Sequence, residues 1–434
     1  MISNPLRRHY ERNTVAVPED LQAIQRRDER EVGGREGLLE PIWAAAEDLY
    51  RSGYHPGVGL CIRQGGELLL NRTIGHARGH GPGEEGPGAP LELDTPISLF
   101  SSSKAITALL VHQLAAEGHL SLHDPVCEYI PEFAAQGKHR TTVEQVLAHQ
   151  AGIPSFPTEF GIEHASDWDA VIDVLCRMPP IAKAGRMTAY HAITGGFVLG
   201  EVAQRATGEA LPDILDRVLR TPLGLKDFRY GVRPEDNDRV ALNYFTGPPL
   251  PAPLAWMAKK ALGIPFEEAC AVSNETVFLN NVIPAGNIYG SAEEACRVFA
   301  MLGNGGRWEG RQVMAEDTVR TLAAPFGRIR YDRMLRIPIR YSRGFMLGHP
   351  VLSLYGPRNP LAFGHLGFLN ILCWADPERD IAVSLLTTGK AAVGPHLAPL
   401  SRLLALINGG FAQRPARDLP AWTAGLPRGL AAAW

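Results

Sequence analysis

A serine stands three residues before a lysine in the segment TPISLFSSSKAITALLVHQL, as Ser101 and Lys104. Apolar residues at helical spacing follow over 106–114, so we expect a helix that begins near Ser101 and carries both side chains on one face. A buried lysine that loses its proton can activate a serine hydroxyl for nucleophilic attack, and N–H groups at a helix N-terminus can stabilise the resulting oxyanion. The same four residues also fit a helix cap with a solvated lysine.

Three adjacent serines compete for this role, because Ser102 and Ser103 follow the first one directly. Side chains three positions apart lie one turn apart on the same helix face. Only Ser101 has that spacing to Lys104, so the sequence predicts Ser101 as the nucleophile.

A tyrosine supplies the second candidate group. Tyr190 stands in AGRMTAYHAITGGFVLGEVAQRATG, at the glycine-rich start of a predicted helix over 192–206. A phenol whose pKa is lowered by a neighbouring ammonium can act as a general base. We therefore expect Tyr190 to share a proton with Ser101 and Lys104; the alternative is a core tyrosine whose hydroxyl is satisfied.

The third candidate is GHLGF at residues 364–368, which contains His365 and opens a predicted strand. Glycines at a strand start allow the backbone to approach a ligand closely. The alternative is a turn or bulge with an incidental histidine.

The surrounding elements must hold these residues together. Strand patterns occur near both ends of the chain, and helical periodicity dominates its middle. The predicted helices are 38–49, 103–117, 141–149, 168–177, 192–206, 210–220, 291–303 and 399–408. The predicted strands are 58–63, 67–74, 343–347, 368–375 and 381–387.

This order predicts an α/β part joined to an all-α part: an antiparallel sheet flanked by the first and last helices, with a helical lobe inserted. Residues 1–35 form an N-terminal leader in this interpretation. Residues 36–98 together with 336–434 form the sheet lobe, and 99–335 form the mainly helical lobe. That lobe includes a proline-rich, irregular insertion at 231–286.

The order of the three candidate groups resembles that of the serine β-lactamase-like hydrolases, in which S-x-x-K is the acylation motif. The stretches LSLHDPVCEYIPEF, VLAHQAGIPSF and PAGNIYGSAEEACRVFAMLGNGG are also similar to that family. The resemblance covers about residues 36–408 and is strongest to the class C-like family VIII carboxylesterases. It implies the β-lactamase-like fold, which agrees with the order of elements.

The resemblance also implies a role for each candidate. Ser101 would be the acylated nucleophile, Lys104 its proton partner and Tyr190 the general base. The backbone N–H groups of Ser101 and Phe368 would form the oxyanion hole. The residues expected to contact substrate are His365, Gly367, His191 and Ala192.

Two departures from the lactamase pattern favour esters over β-lactams. Ala192 stands where lactamases carry an asparagine that hydrogen-bonds the antibiotic's amide. His365 stands where lactamases carry a lysine that binds the carboxylate of the antibiotic, and histidine is mostly neutral near pH 7. We expect a serine carboxylesterase for short-chain esters. The alternatives are an acyltransferase, a weak β-lactamase, and, least favoured, a catalytically idle scaffold.

Composition limits the remaining classes. The 434 residues carry a formal net charge of -3, which does not provide the basic surface of a nucleic-acid-binding protein. No run approaches the roughly 18 apolar residues of a membrane span. The polar N-terminus lacks the apolar segment of a secretory signal, so we expect a cytoplasmic enzyme with a small-molecule ester substrate. Six scattered cysteines fit reduced thiols.

Weaker features complete the sequence-based expectations. His76 and His80 lie in a glycine-rich stretch that favours neither a metal site nor any cofactor. Six arginines at 328–343 predict a solvated, salt-bridged face more than an anion site. Trp256, Met257 and Leu262 fit an acyl pocket or ordinary core equally well. The sequence leaves the oligomeric state open, a homo-oligomer included.

Overall fold

The structure, a computed structural model, describes residues 13–157, 160–161, 164 and 166–429. Its strands are β1 (Gln25–Arg27), β2 (Gly57–Gln64), β3 (Glu67–Arg78), β4 (Ala89–Pro90), β5 (Ile97–Ser98), β6 (Arg229–Tyr230), β7 (Ile288–Gly290), β8 (Arg307–Trp308), β9 (Arg311–Gln312), β10 (Arg330–Tyr331), β11 (Pro338–Ile339), β12 (Met346–Leu347), β13 (Leu352–Ser353), β14 (Gly356–Pro357), β15 (Phe363–Gly367), β16 (Ile371–Asp376) and β17 (Ile381–Thr387).

The main sheet has eight strands and is antiparallel throughout. Seven of them follow the order β1-β3-β2-β17-β16-β15-β12, and β4 pairs with the outer part of β3. In its centre β2 pairs with β17, so that Gly57–Gln64 from the first part of the chain faces Ile381–Thr387 from the last. Segments far apart in sequence therefore form one sheet, as the positions of the strand signals predict.

The α-helices lie on both faces of this sheet and in the region between its two halves. They are α1 (Glu36–Arg51), α2 (Ser103–Ala116), α3 (Val143–Leu147), α4 (Trp168–Arg177), α5 (Thr194–Thr207), α6 (Leu211–Leu215), α7 (Thr221–Leu223), α8 (Ala252–Leu262), α9 (Phe266–Val272), α10 (Thr276–Leu279), α11 (Ala292–Gly303), α12 (Glu316–Ala323) and α13 (Leu397–Gly410).

Each face of the sheet packs into a separate hydrophobic core. Helices α1 and α13 pack together on one face of the sheet, and their apolar stripes share a core with β2, β3, β16 and β17. Helix α11 packs on the other face, against β2, β16 and β17. Because helices cover both faces, the central strands are buried along nearly their whole length.

Helix α2 is the central helix of the inserted region, where eleven of its fourteen residues are buried. It packs against α5 and α12 and against strand β15 of the sheet. The start of this helix, where Ser101 and Lys104 stand, is therefore held between the helical region and the sheet.

Most of the predicted elements are confirmed. The predicted helix at 168–177 is α4, and the predicted strand at 381–387 is β17. The predicted hairpin joins β2 to β3 through Gly65 and Gly66. Their φ values are 58° and 87°, a conformation that glycine adopts readily because it has no Cβ.

Two predicted strands are wrong in their extent. The strand expected at 368–375 is split, because Phe368 and Leu369 adopt φ values of 38° and 75° and turn the chain between β15 and β16. The strand expected at 343–347 is limited to Met346–Leu347. In the first case the turn is made by non-glycine residues, which leave no local signal, and in the second Gly344, with a φ of 126°, bends the chain before the strand.

The segment at 231–286, predicted to be irregular, contains helices α8, α9 and α10. Its prolines misled the sequence interpretation because several of them begin helices. Pro251 and Pro265 occupy the N-cap positions of α8 and α9, where a missing N–H and a fixed φ do no harm. Within the predicted leader, β1 forms the edge of the main sheet, and residues 1–12 lie outside the described residues.

Candidate active site

Ser101 lies at the junction of a turn and a helix. The short 3-10 helix Phe100–Ser102 runs directly into α2, and Phe100 holds the uncommon φ of 45° immediately before the serine. One turn later the Nζ atom of Lys104 lies 2.9 Å from Ser101 Oγ and donates to the carbonyl of Ala285 at 2.9 Å. The predicted register therefore brings the two side chains into contact.

The neighbouring serines have structural hydrogen bonds. Ser102 is fully buried and its hydroxyl donates to the carbonyl of His365 at 3.1 Å. Ser103 is also fully buried, and its hydroxyl accepts the N–H of Ile288 at 2.9 Å. Ser101 alone is partly exposed, and it opens into a pocket. Each of the other two hydroxyls instead ties the start of α2 to a strand.

Burial sets the protonation of Lys104. Its side chain is 8% exposed, and no carboxylate of the described residues forms an ion pair with it. Desolvation lowers the pKa of this amine well below its ordinary value. Burial therefore favours the neutral amine, which can accept a proton from the hydroxyl beside it.

Tyr190 covers this pair from the loop before α5. Its backbone N–H donates to Asp332 Oδ1 at 3.2 Å, and Lys104 Nζ lies 4.9 Å from the centre of its ring. Burial raises the pKa of Tyr190, a hydrogen bond with Ser101 opposes this, and Asp332 adds to the rise. The expected lowering of this pKa is wrong, because burial penalises the charged phenolate more than its surroundings stabilise it.

A pair of histidines lies behind the lysine. The Ile153 N–H donates to His191 Nε2 at 3.2 Å, so the other ring nitrogen of His191 carries the proton and points to His149 Nδ1, 3.3 Å away. That His149 nitrogen also accepts the backbone N–H of His191 at 3.2 Å. Both side chains are buried, and burial lowers the pKa of His191 to about 3. His191 thus contacts backbone and His149, and it lines a cavity behind Lys104 rather than the pocket at Ser101.

His149 is a part of the site that sequence reasoning missed. It stands in VLAHQAGIPSF, a stretch that resembles the family, and has the uncommon φ of 58°. Its ring lies 4.7 Å from that of Tyr190 and 5.0 Å from that of Tyr341. The only available signal was its place in a family-like segment, because no local pattern distinguishes it from an ordinary helix-terminal residue.

Strand β15 and the turn after it lie beside the start of α2. His365 is buried, and its Nδ1 donates to the carbonyl of Leu366 at 2.8 Å, which leaves Nε2 as the acceptor. Burial, followed by the nearby Lys104, lowers the pKa of His365 to about 3. A Cβ at Gly367 would lie 2.2 Å from the Leu99 carbonyl, so only glycine permits this close approach of strand and serine turn.

Stacked aromatic rings join Phe368, one of the two residues predicted for the oxyanion hole, to Phe100, the residue before the other. The ring of Phe368 lies 4.7 Å from Phe100 at an interplanar angle of 20°, and 4.5 Å from Phe266 at 7°. Lys390 Nζ lies 4.9 Å from the centre of the Phe100 ring. We call Phe266, Phe368 and Phe100 the aromatic column. It connects helix α9 to the residue before Ser101 and to the turn after β15.

An apolar pocket of about 510 Å³ opens at Ser101. Its walls come from the serine turn, the loop before α5, the insertion helices and the turn after β15. They are Phe100, Ser101, Ala192, Ile193, Leu262, Ile264, Ala269, Val272, Phe278, Ile283, Ala285, Gly286 and Phe368. Leu262 lines the pocket, which is one of the two roles expected for it. Trp256 is 56% exposed and does not line the pocket. Ser101 is the one lining residue with a polar side chain.

The described residues contain neither a metal-binding cluster nor a membrane-spanning helix. No group of three or more histidine, cysteine or acidic side chains among them is arranged to hold a metal ion. Among the helices of the described residues, none combines the length and the apolar character needed to cross a bilayer.

Comparison with known proteins places these features in a wider context. Residues 37–406 match the family described as Beta-lactamase. The curated protein "Esterase/beta-lactamase LipL" of Mycobacterium tuberculosis is 29% identical over 338 residues, which cover 74% of each chain.

Solved structures agree with this match. A penicillin-binding protein homologue from Caulobacter crescentus has a TM-score of 0.76 at 27% identity, and a family VIII carboxylesterase has a TM-score of 0.75 at 25% identity. In both comparisons 88% of this chain and 99% of the other chain are covered. The predicted fold class is confirmed.

Proposed function

The chain belongs to the beta-lactamase family and is a serine hydrolase, and we propose that it hydrolyses short-chain carboxylic esters through an acyl-enzyme on Ser101. One observation carries the proposal: a buried amine, Lys104 Nζ, lies 2.9 Å from Ser101 Oγ. A serine hydroxyl becomes a nucleophile when a neighbour accepts its proton, and a desolvated amine can do so.

The first half of the reaction acylates the serine. Lys104 accepts the proton of Ser101 as Oγ bonds to the ester carbonyl carbon, and the carbonyl oxygen takes up the negative charge. The backbone N–H groups of Ser101 and Phe368 stabilise this oxyanion. Tyr190, which burial keeps protonated, passes a proton to the leaving alcohol and regains one from Lys104.

The second half releases the acid. Water enters, gives a proton to the Tyr190 and Lys104 pair and attacks the acyl carbon. The tetrahedral intermediate collapses, the bond to Ser101 Oγ breaks, and the serine regains its proton. No cofactor is needed for either half.

Substrate preference follows from the pocket walls. Ala192 lines the pocket with a methyl group where a lactamase asparagine would offer an amide, and buried His365 is neutral near pH 7. An ester with an apolar acyl group leaves no polar group unpaired in such a pocket, whereas the carboxylate and amide of a β-lactam find no charged partner. The names of LipL and of the family VIII carboxylesterase agree with esterase chemistry.

The experiment compares substrates on the purified protein. We would measure kcat/KM for p-nitrophenyl acetate, butyrate and octanoate beside nitrocefin, and identify the residue modified by a serine-directed phosphonate. Ester turnover far above nitrocefin turnover, with the label on Ser101, is expected. Comparable nitrocefin turnover would favour a β-lactamase. An added alcohol that captures most of the acyl group would favour an acyltransferase, and absence of labelling would favour an idle scaffold.

A further inference from the structure

We propose that two adjacent hairpins outside the active site form a docking surface for membranes that contain anionic lipid. The first hairpin consists of β10 and β11, and the second of β13 and β14. We call them together the basic hairpins. The proposal rests on their charge, on their exposed apolar side chains and on the groove between them, and it is independent of the proposed ester hydrolysis.

The charge of this region is strongly one-sided. Residues 328–358 contain seven arginines and one acidic residue, Asp332. Asp332 is fully buried and accepts the N–H groups of Met334 and Leu335 and the hydroxyl of Tyr341, so its charge is directed inward.

Most of these arginines are free at the surface. Arg343 pairs with Glu144, but within the described chain no acidic side chain forms an ion pair with the exposed ones. These are Arg328, Arg330, Arg333, Arg336 and Arg358. The expectation of a solvated face over 328–343 is confirmed, but within the described residues the pair of Arg343 with Glu144 is its one salt bridge. The protein therefore exposes a local positive surface although its net charge is -3.

Large apolar side chains are exposed among the same arginines. On the first hairpin Tyr331 is 50% exposed and Ile337 is 44% exposed. On and beside the second, Val351 is 57% exposed and Leu352 is 67% exposed. Leaving such side chains in water is unfavourable, and a cluster of them marks a surface that another apolar phase can cover.

A groove of about 740 Å³ lies between the two hairpins and joins their apolar side chains. Ile329 and Ile337 line it from the first hairpin, and Leu352 and Leu354 from the second. Buried Arg340 also lines it and, among the described residues, donates to backbone carbonyls at 3.3 to 3.4 Å. An acyl chain with an acidic headgroup matches both the apolar walls and this cationic edge.

An anionic bilayer fits this surface better than a nucleic acid does. At a membrane interface arginines pair with lipid phosphates while neighbouring aliphatic and aromatic side chains enter the acyl boundary. A nucleic acid would neutralise the arginines but offer nothing to Leu352 or Val351. The surface also adjoins the catalytic region, since Asp332, in the loop that joins β10 to β11, accepts the backbone N–H of Tyr190.

The test is vesicle co-sedimentation of the full chain. One set of vesicles is phosphatidylcholine alone, and the other contains about 30 mol% phosphatidylglycerol to give a negative surface. We expect binding to the second set and little to the first. Arg328→Glu/Arg333→Glu should weaken that binding roughly tenfold or more, because two attractive charges become repulsive. Tyr331→Ser/Leu352→Ser should weaken it as well.

The matched control is Arg307→Glu/Arg311→Glu, on another exposed hairpin formed by β8 and β9, with the same change in net charge. It should bind as the wild type does, and all variants should keep the wild-type turnover of a soluble ester, which shows that they fold. Equal binding to both vesicle sets would overturn the proposal. An equal loss of vesicle binding in the control would also overturn it, and so would unchanged binding of Tyr331→Ser/Leu352→Ser. Binding of the protein to an oligonucleotide but not to the anionic vesicles would overturn it as well.

Discussion

At the scale of single residues, chemistry is decided by what each side chain touches. Ser101, Ser102 and Ser103 are chemically identical, yet two of them bond to strand backbone and one contacts a buried amine. The i, i+3 spacing was enough to predict that difference for Ser101 and Lys104. The contact of Lys104 with the Ala285 carbonyl could not be predicted, because it joins residues 181 positions apart.

Substitution of each outer serine separates catalysis from structure. Ser101→Ala should lower the rate of ester hydrolysis by many powers of ten while the protein stays folded, because the nucleophile is lost and the change removes only one small, partly exposed hydroxyl. Ser103→Ala should keep turnover but lower the free energy of unfolding by about 1–3 kcal/mol, since the Ile288 N–H loses its acceptor. Rates with p-nitrophenyl butyrate and urea unfolding measure the two effects. The reverse pattern would reject the assignment of Ser101.

The pH dependence should report a lysine rather than a histidine. The reaction needs Lys104 unprotonated, so kcat/KM should fall as pH falls through the lowered pKa of Lys104 and stay high toward pH 10, where Tyr190 is still protonated. Lys104→Arg introduces a cation that cannot lose its proton and should be inactive. Tyr190→Phe should lose most activity.

His365→Ala is the comparison variant for this profile, measured from pH 5 to 10. Burial lowers the pKa of His365 to about 3, so its titration cannot produce an activity change near neutral pH. We expect reduced binding of substrate but an unchanged profile. An inactive His365→Ala beside an active Tyr190→Phe would replace the lysine mechanism with a serine–histidine one.

At the scale of elements, the aromatic column explains how an insertion controls a catalytic turn. Phe266 belongs to α9, and its ring reaches Phe100 and the turn after β15 through Phe368. Both Phe100 and Phe368 have positive φ, a conformation that costs on the order of 1–3 kcal/mol and needs support from its surroundings. Local patterns predicted α2 and β17 well but not this turn, because its conformation is imposed by packing.

Lys390 should destabilise the protein at neutral pH. Burial lowers its pKa to about 7, while the presence of Cys270 opposes this. Between pH 7 and its ordinary pKa of about 10.4, the unfolded chain binds more protons, so stability rises with pH by up to about 1.4 kcal/mol per unit. Lys390→Met should remove this slope and raise the free energy of unfolding near pH 7.

Urea unfolding of both proteins at pH 7, 8, 9 and 10 measures the difference. If the wild type and Lys390→Met share the same slope, the amine titrates normally and the prediction fails. Because Lys390 lies over the Phe100 ring, we expect the more stable variant to have a lower kcat.

The pocket wall on α9 should set chain length. Ala269 lines the pocket, and Ala269→Leu fills part of it. We expect kcat/KM for p-nitrophenyl octanoate to fall roughly tenfold or more, with a smaller loss for butyrate, because each displaced methylene is worth about 1–3 kcal/mol. Ala271→Leu, on an exposed position of the same helix, should change neither rate. Equal losses for both esters would place the acyl chain elsewhere.

At the scale of the whole molecule, the residues of the candidate active site come from segments far apart in the chain. Ser101 and Lys104 come from the central helix, Tyr190 from a loop before α5, and His365 from the sheet. The order of elements and the family resemblance predicted this architecture. Periodicity alone did not predict which loops converge, because the pairing of β2 with β17 joins residues more than 300 positions apart.

A buried ion cluster connects the sheet to the helix that covers it. Glu293 on α11 pairs with Arg63 at the end of β2 and with Arg297 at 2.5 Å on its own helix. The Arg63 guanidinium also donates to the Gly66 carbonyl at 2.7 Å, and both arginines lie near the Trp308 ring. Removing the acid would leave two cations in a largely buried site without an anion.

Glu293→Gln should therefore lower the free energy of unfolding by about 3–5 kcal/mol at pH 7. Burial alone would raise the pKa of Glu293, but Arg297 and Arg63 lower it overall. A carboxylate with a lowered pKa stabilises the fold above its ordinary pKa and loses that contribution as pH falls through the lowered one. The difference in free energy of unfolding between wild type and variant, measured with urea, should thus shrink below about pH 4.

The control is Asp48→Asn, which breaks the exposed pair with Arg402 and should lower the free energy of unfolding by at most about 1 kcal/mol at either pH. A Glu293→Gln protein as stable as Asp48→Asn would mean that apolar packing alone holds α11 on the sheet.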